Sequence, residues 1–192
     1  MWQLASSGVR AHRGSFAGRG VIFAGKHDVR QDRDMLQSDW WMPDVAAPAH
    51  TYGIYPPDMR TDHWLEMRWQ APATMLLEIG ATPAGGARED GVIVHQAHIL
   101  TPETAGTSHY FWATTRSGGP VTEQGDAMLR GLMSQAFVEE DKPVIEAAYA
   151  NLDGADFWES KPVFLGVDAG GTRARRLLQS LISRSHHEGS EA

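Results

Sequence analysis

An acid stands where an apolar residue is expected. Met133, Phe137, Asp141, Ile145 and Ala148 recur at three- and four-residue steps, so they share one stripe of a helix, with Glu140 beside it. Burying a carboxylate is costly unless a cation or hydrogen bonds compensate, which makes metal coordination or a catalytic task one role for Asp141. Pro143 offers another. Proline breaks a helix interior but sits well at a helix start, so a helix restarting there would be N-capped by Asp141. On residue types and spacing alone, the cap is the simpler role.

The histidines carry less. His95 and His98 are three apart on an expected strand, which sends them to opposite faces and makes them a poor chelating pair. His98 shares its face with Val92 and Val94; it reads as a core histidine satisfied by a neighbour, with substrate contact as the other role. His109 becomes a cross-strand neighbour if residues 101–107 form the hairpin loop. Trp40, Trp41, Trp64, Trp69, Tyr110, Phe111 and Trp112 read as core, a few of them able to line a pocket for an aromatic ligand. The run Gly166 to Thr172 resembles the phosphate-binding turn of actin-like sugar kinases. That motif opens a large domain between two strands, whereas here only a short, helical pattern follows. The glycines therefore shape a loop before the last helix, with Thr172 as its cap.

The elements that must position these residues change character along the chain. Short runs bounded by turn residues predict strands over 20–29, 35–41, 63–70, 74–81, 92–100 and 108–115, and sequential short strands predict an antiparallel sheet. In the fourth, Met75, Leu77 and Ile79 share a face, which turns Leu77 inward. Residues 43–57 and 83–91, rich in Pro, Gly and Ala, read as loops. Helical periodicity takes over from Leu129 to Ala148 and again over 172–183. The fold class is α+β, a curved sheet with a long C-terminal helix across its concave face, a plan that encloses a pocket.

Composition bounds the chemistry. The 192 residues include nine histidines and no cysteine, so no disulfide, thiol nucleophile, cysteine-ligated zinc or iron–sulfur cluster can be held by this chain. A formal charge of −7 with scattered basic residues leaves no footprint for nucleic acid. No apolar run reaches a membrane span and the first residues lack signal-peptide character, which reads as a cytoplasmic protein.

One set of segments goes further: His98-Ile99-Leu100-Thr101-Pro102-Glu103-Thr104, His109-Tyr110-Phe111-Trp112, Glu140-Asp141-Lys142 with Val144-Ile145-Glu146, and Asp168-Ala169 with Arg173-Ala174-Arg175-Arg176. In this order and spacing they resemble the C-terminal catalytic domain of Rieske non-haem iron oxygenases of the vanillate O-demethylase and dicamba monooxygenase type. The resemblance implies a helix-grip (START-like) fold and a mononuclear Fe(II) held by two histidines five residues apart and one aspartate, a facial triad with open positions for O₂. By motif match Asp141 takes the ligand aspartate's place, which reverses the preference for a cap, and His12 the second histidine's. His98 matches a position that contacts the substrate's polar group, and Leu77 and Leu132 match pocket positions. The domain so implied spans 12–185, with an atypical, out-of-register start over 1–11, as a truncated or frame-shifted reading frame would leave, and a disordered tail over 186–192.

Two departures accompany the match. Ser7 stands where the family pattern has the first iron histidine, and Leu4 where it has an aspartate that passes electrons between subunits. The Rieske domain that would hold the [2Fe–2S] cluster is also missing from these residues. The resemblance implies the catalytic portion of a monooxygenase that hydroxylates or O-demethylates a small aromatic acid, fed by a reductase or ferredoxin, built as a homotrimer and inactive by itself. The alternative is a helix-grip module that binds a small aromatic ligand without redox activity.

Overall fold

The computed structural model describes residues 25–117 and 122–190. Six strands, β1 (Lys26–Asp32), β2 (Met35–Ala46), β3 (Arg60–Gln70), β4 (Thr74–Pro83), β5 (Val92–Pro102) and β6 (Ser108–Ser117), form one antiparallel sheet in sequence order. Each strand thus pairs with its chain neighbour, as short connections favour. The α+β helix-grip plan expected from the sequence is the one observed, with strands two or three residues longer than expected at several ends. Of the first, expected over 20–29, residues 20–24 lie outside the described residues and the strand runs from Lys26; β2 runs through a bulge between Met42 and Val45 into the segment expected as loop. At that bulge Asp44 takes a left-handed φ of 52°, a conformation that short polar side chains tolerate.

Alternation sorts the sheet into two faces, most plainly on β5, where Val92, Val94, Gln96 and His98 are buried. Register carries the same inner face across the sheet, with His98 opposite Met75 on β4 and Trp112 on β6, and Gln96 opposite Leu77. The helices cover this face. Helix α1 (Glu123–Ser134) passes through a π-helical turn (Gln135–Asp141) into α2 (Lys142–Ala150), and α3 (Ala169–Ser190) follows. Ala174 and Leu177 of α3 pack with Leu36, Trp69 and Met75 of the sheet as a buried apolar cluster. Met133, fully buried on α1, receives the side-chain amide of Gln96 at 2.9 Å on its sulfur.

On the outer face Trp64 is fully buried, stacked on Trp41 and capped by the Arg88 guanidinium 4.3 Å from its ring. This is possible because its β4 neighbour is Gly80, where a Cβ would lie 1.9 Å from Trp64 Cζ2.

Two expectations are corrected. The helix does not break at Pro143. Asp141 has helical backbone angles and makes no cap hydrogen bond, because the Lys142 N–H reaches back five residues to Phe137 O and the wider turn absorbs the proline. Thr172 lies inside α3, which begins at Ala169; Asp168 instead turns back to accept the Leu165 N–H at 2.7 Å. Helix α3 is assigned through Ser190, and residues 191–192 lie outside the described residues. Among the described residues, no helix is long and apolar enough to cross a membrane.

Candidate functional site

The densest grouping of polar and aromatic side chains on the inner face gathers where β5 and β6 meet the π-helical turn. The β5–β6 hairpin sets His98 and Tyr110 on that face, and His98 Nδ1 lies 2.7 Å from the Tyr110 hydroxyl. Phe137, from the π-helical turn, closes the group: its ring centre is 5.4 Å from His98, 5.7 Å from Tyr110 and 5.6 Å from Trp112, edge-on to the first two. Such tilted aromatic contacts match the positive edge of one ring to the negative face of the next. Asp141, the last residue of that turn, is 4% exposed, and its charge acts on both His98 and Tyr110.

Burial decides the protonation here. It pushes His98 down to about 4, against the opposing pull of Asp141, so the imidazole is neutral at physiological pH. Burial, and then the Asp141 carboxylate, raises the Tyr110 phenol well above its ordinary range, so it keeps its proton. The second ring nitrogen of His98, Nε2, is buried and makes no hydrogen bond among the described residues.

The structure therefore brings His98 and Asp141 together. Leu77 lies on the inner face as expected, half-buried, two pairs along the β4–β5 ladder from His98. Leu132 is half-buried on the last turn of α1 beside Met133. His12, Ser7 and Leu4 lie outside the described residues. His95 is on the opposite face, near Glu78, and His109 is paired with Thr101 rather than His98.

Sequence reasoning passed over two features. The role of Tyr110 needs the hairpin register, which puts it diagonally across from His98. The other is a histidine pair at the far end of the inner face: His50 and His63 are buried with ring centres 5.6 Å apart. His63 Nδ1–H donates to Gly80 O at 2.7 Å, while His63 Nε2 and both His50 nitrogens make no hydrogen bond of normal geometry. Burial, then the neighbouring His63, pushes His50 down to about 3; burial pushes His63 down to about 4 against its Gly80 bond.

Among the described residues, no three His, Asp or Glu side chains converge as a metal-holding group. A facial triad needs two imidazoles and a carboxylate; Ser7, expected from the resemblance at the first of these positions, lies outside the described residues. A cavity of about 320 Å³ opens on the outer face among Glu66, Arg68, Leu76, Glu78 and His95. Open and charged, it lies across the sheet from His98 and Asp141 and is not part of their site.

Comparison with known proteins identifies the family. The oxygenase component of a chloroacetanilide N-alkylformylase from Rhizorhabdus wittichii is 36% identical over 156 residues, 80% of this chain and 44% of that protein. The oxygenase component of dicamba O-demethylase from Stenotrophomonas maltophilia is 34% identical over 125 residues, 62% of this chain and 35% of that protein. The crystal structure of dicamba monooxygenase bound to 3,6-dichlorosalicylic acid superposes with a TM-score of 0.82 at 26% identity, covering 96% of this chain and 54% of that one. The chain thus spans about half the length, or less, of the relatives it matches. The model of the vanillate O-demethylase oxygenase C-terminal domain matches residues 11–184, nearly the whole chain, and the chain belongs to that family.

Proposed function

We propose that this chain is the catalytic-domain portion of a Rieske-type oxygenase and that it receives a small aromatic molecule between the inner face of the sheet and the α1–α2 helix. The observation that carries the reading is the buried group of His98, Tyr110, Phe137 and Asp141, in which a neutral polar side chain sits among rings beside a carboxylate. Apolar and aromatic walls with few polar groups are what a pocket for an aromatic ligand requires. The relatives' names point the same way: vanillate, dicamba, toluene-4-sulfonate and chloroacetanilides all carry an aromatic ring. The substrate class is a small aromatic acid, with Leu77 and Leu132 flanking the ring and His98 meeting its polar substituent.

Asp141 and His12 are the ligands that remain for a mononuclear iron, and two protein ligands hold Fe(II) weakly. The [2Fe–2S] cluster belongs to a Rieske domain outside these residues. A reductase or ferredoxin donor, a homotrimeric assembly and a cytoplasmic location complete the proposal. Ser7 favours one further reading, a module that binds the aromatic ligand without redox turnover.

Anaerobic Fe(II) reconstitution followed by metal analysis, alongside titration with vanillate read by tryptophan fluorescence, tests both. Saturable vanillate binding lost in His98→Ala supports the substrate site, and its absence in the wild type sinks it. Iron near one per chain that disappears in Asp141→Ala supports the oxygenase reading. None at any Fe(II) level leaves the binding module.

A further inference from the structure

The His98–Tyr110 hydrogen bond has two possible directions, and the surroundings choose between them. If the phenol donates to Nδ1, the imidazole proton resides on Nε2 and one buried group, that N–H, lacks a partner. If Nδ1–H donates to the phenol oxygen, the Tyr110 proton has no acceptor among the described residues, and the Nε2 lone pair is orphaned there as well. Leaving two polar groups unpaired costs more than leaving one. A doubly protonated ring fares no better, since Nδ1–H would again donate to the phenol oxygen, leaving the Tyr110 proton and the Nε2–H both unpaired and a charge buried.

We infer that Tyr110 is a positioning residue: by donating its O–H to His98 Nδ1 it fixes the proton on Nε2 and presents that N–H as an uncharged donor to an oxygen acceptor on the aromatic ligand. The inference rests on the substrate site proposed above and deepens it. A donor set this way serves a carboxylate or an amide carbonyl alike, because what it offers is one directed N–H and no charge. Phe137, edge-on to His98 and also against Tyr110, holds both rings so that the pair does not rotate apart. The same proton placement denies the Nε2 lone pair to a metal, which separates His98 from the ligand role of Asp141.

The test uses the full chain with ¹⁵N-histidine labelling. Long-range proton–nitrogen correlation spectra read the tautomer with no ligand and no activity, and the Nε2–H form of His98 is expected at pH 7. The Nδ1–H form overturns the inference while leaving the substrate site standing. Tyr110→Phe keeps the ring and removes only the donor. It is expected to give a mixture of tautomers and to weaken binding of benzamide and of benzoate by about fivefold, the usual worth of one ordered hydrogen bond. Unchanged Kd values for both probes in Tyr110→Phe overturn the inference. Benzamide affinity flat from pH 5.5 to 8 supports it, since the donor carries no charge across that range; affinity that rises on acidification shows a cationic donor and overturns it. Failure of both probes to bind the wild type sinks the substrate site itself, and the tautomer spectrum then still decides what Tyr110 does.

Discussion

Gly80→Ala should be among the most damaging conservative changes in the sheet. In a strand, alanine normally exceeds glycine by roughly 0.5–1 kcal/mol, so without tertiary contacts the change would stabilise. Here the added Cβ would fall 1.9 Å from Trp64 Cζ2 and 2.0 Å from Cε2, where ordinary contact begins at 3.4 Å. The indole would have to move by about 1.5 Å, and it is held on every side. Its Nε1–H donates to Glu78 Oε1 at 2.8 Å, Trp41 stacks on it at 6.2 Å and Arg88 covers it at 4.3 Å. Gly80 cannot yield either, since it is paired to both Trp64 and Ile93. Overpacking costs about 1–3 kcal/mol, and with both partners fixed the upper end applies. For a domain of this size that corresponds to a fall in Tm of roughly 6–12 °C. Thermal unfolding by circular dichroism reads it. A double-mutant cycle sharpens the test, because in a Trp64→Ala background the clash has no partner and Gly80→Ala should become neutral or slightly stabilising. A single-mutant loss below about 0.5 kcal/mol, or equal losses in the two backgrounds, refutes the packing argument.

Stability should fall on acidification. An unfolded imidazole titrates near 6.5, whereas burial holds His50 at about 3 and His63 and His98 at about 4. Between those limits the unfolded chain binds more protons, so stability is full above pH 6.5, declines as pH drops and levels off below about 3. Each imidazole that keeps its depressed value contributes a slope of about 1.4 kcal/mol per pH unit. Guanidinium midpoints that do not move between pH 7.5 and 5 contradict this, and His50→Gln should flatten the dependence. Phe137→Ala removes the ring shared by His98, Tyr110 and Trp112 and should cost about 2–3 kcal/mol, less than a fully buried phenylalanine. It should also shift the His98 and Trp112 side-chain resonances; stability loss with those signals unmoved places the ring elsewhere.

How much of this was legible in the sequence follows the range of the interactions. The face of His98 was readable because strand alternation is local and the pattern of β5 is clean. The inward turn of Leu77 was readable for the same reason. The fate of Asp141 was not: cap and continued helix use the same residues, and the choice fell to a π-helical turn whose hydrogen bonds skip five residues to accommodate Pro143. Tyr110 was one aromatic among several until register placed it beside His98. The Trp64–Gly80 contact joins residues sixteen apart and is invisible without the β3–β4 pairing. What local patterning could not supply for the site, the resemblance supplied in part, since it singled out Asp141 and His98 as members of one centre and the structure brings the two within electrostatic reach.

On the proposed function, the residues that meet the aromatic ligand lie far in sequence from position 7. His98 and Tyr110 come from one hairpin and are set by sheet register, while the position that departs from the family's iron set, Ser7, is about ninety residues away in sequence. Losing that imidazole leaves the aromatic group intact, so binding and iron affinity should be separable by mutation. Ser7→His makes this a gain-of-function test. Structural metal sites built from four ligands are worth roughly 10–16 kcal/mol, or about 3 kcal/mol per ligand, so a restored imidazole should raise Fe(II) affinity on the order of 100-fold. The gain should vanish in Ser7→His/Asp141→Ala, and benzamide binding should stay within twofold throughout. No increase in iron affinity in Ser7→His would show that position 7 does not belong to the ligand set, and the assignment of His12 by the same spacing would fall with it.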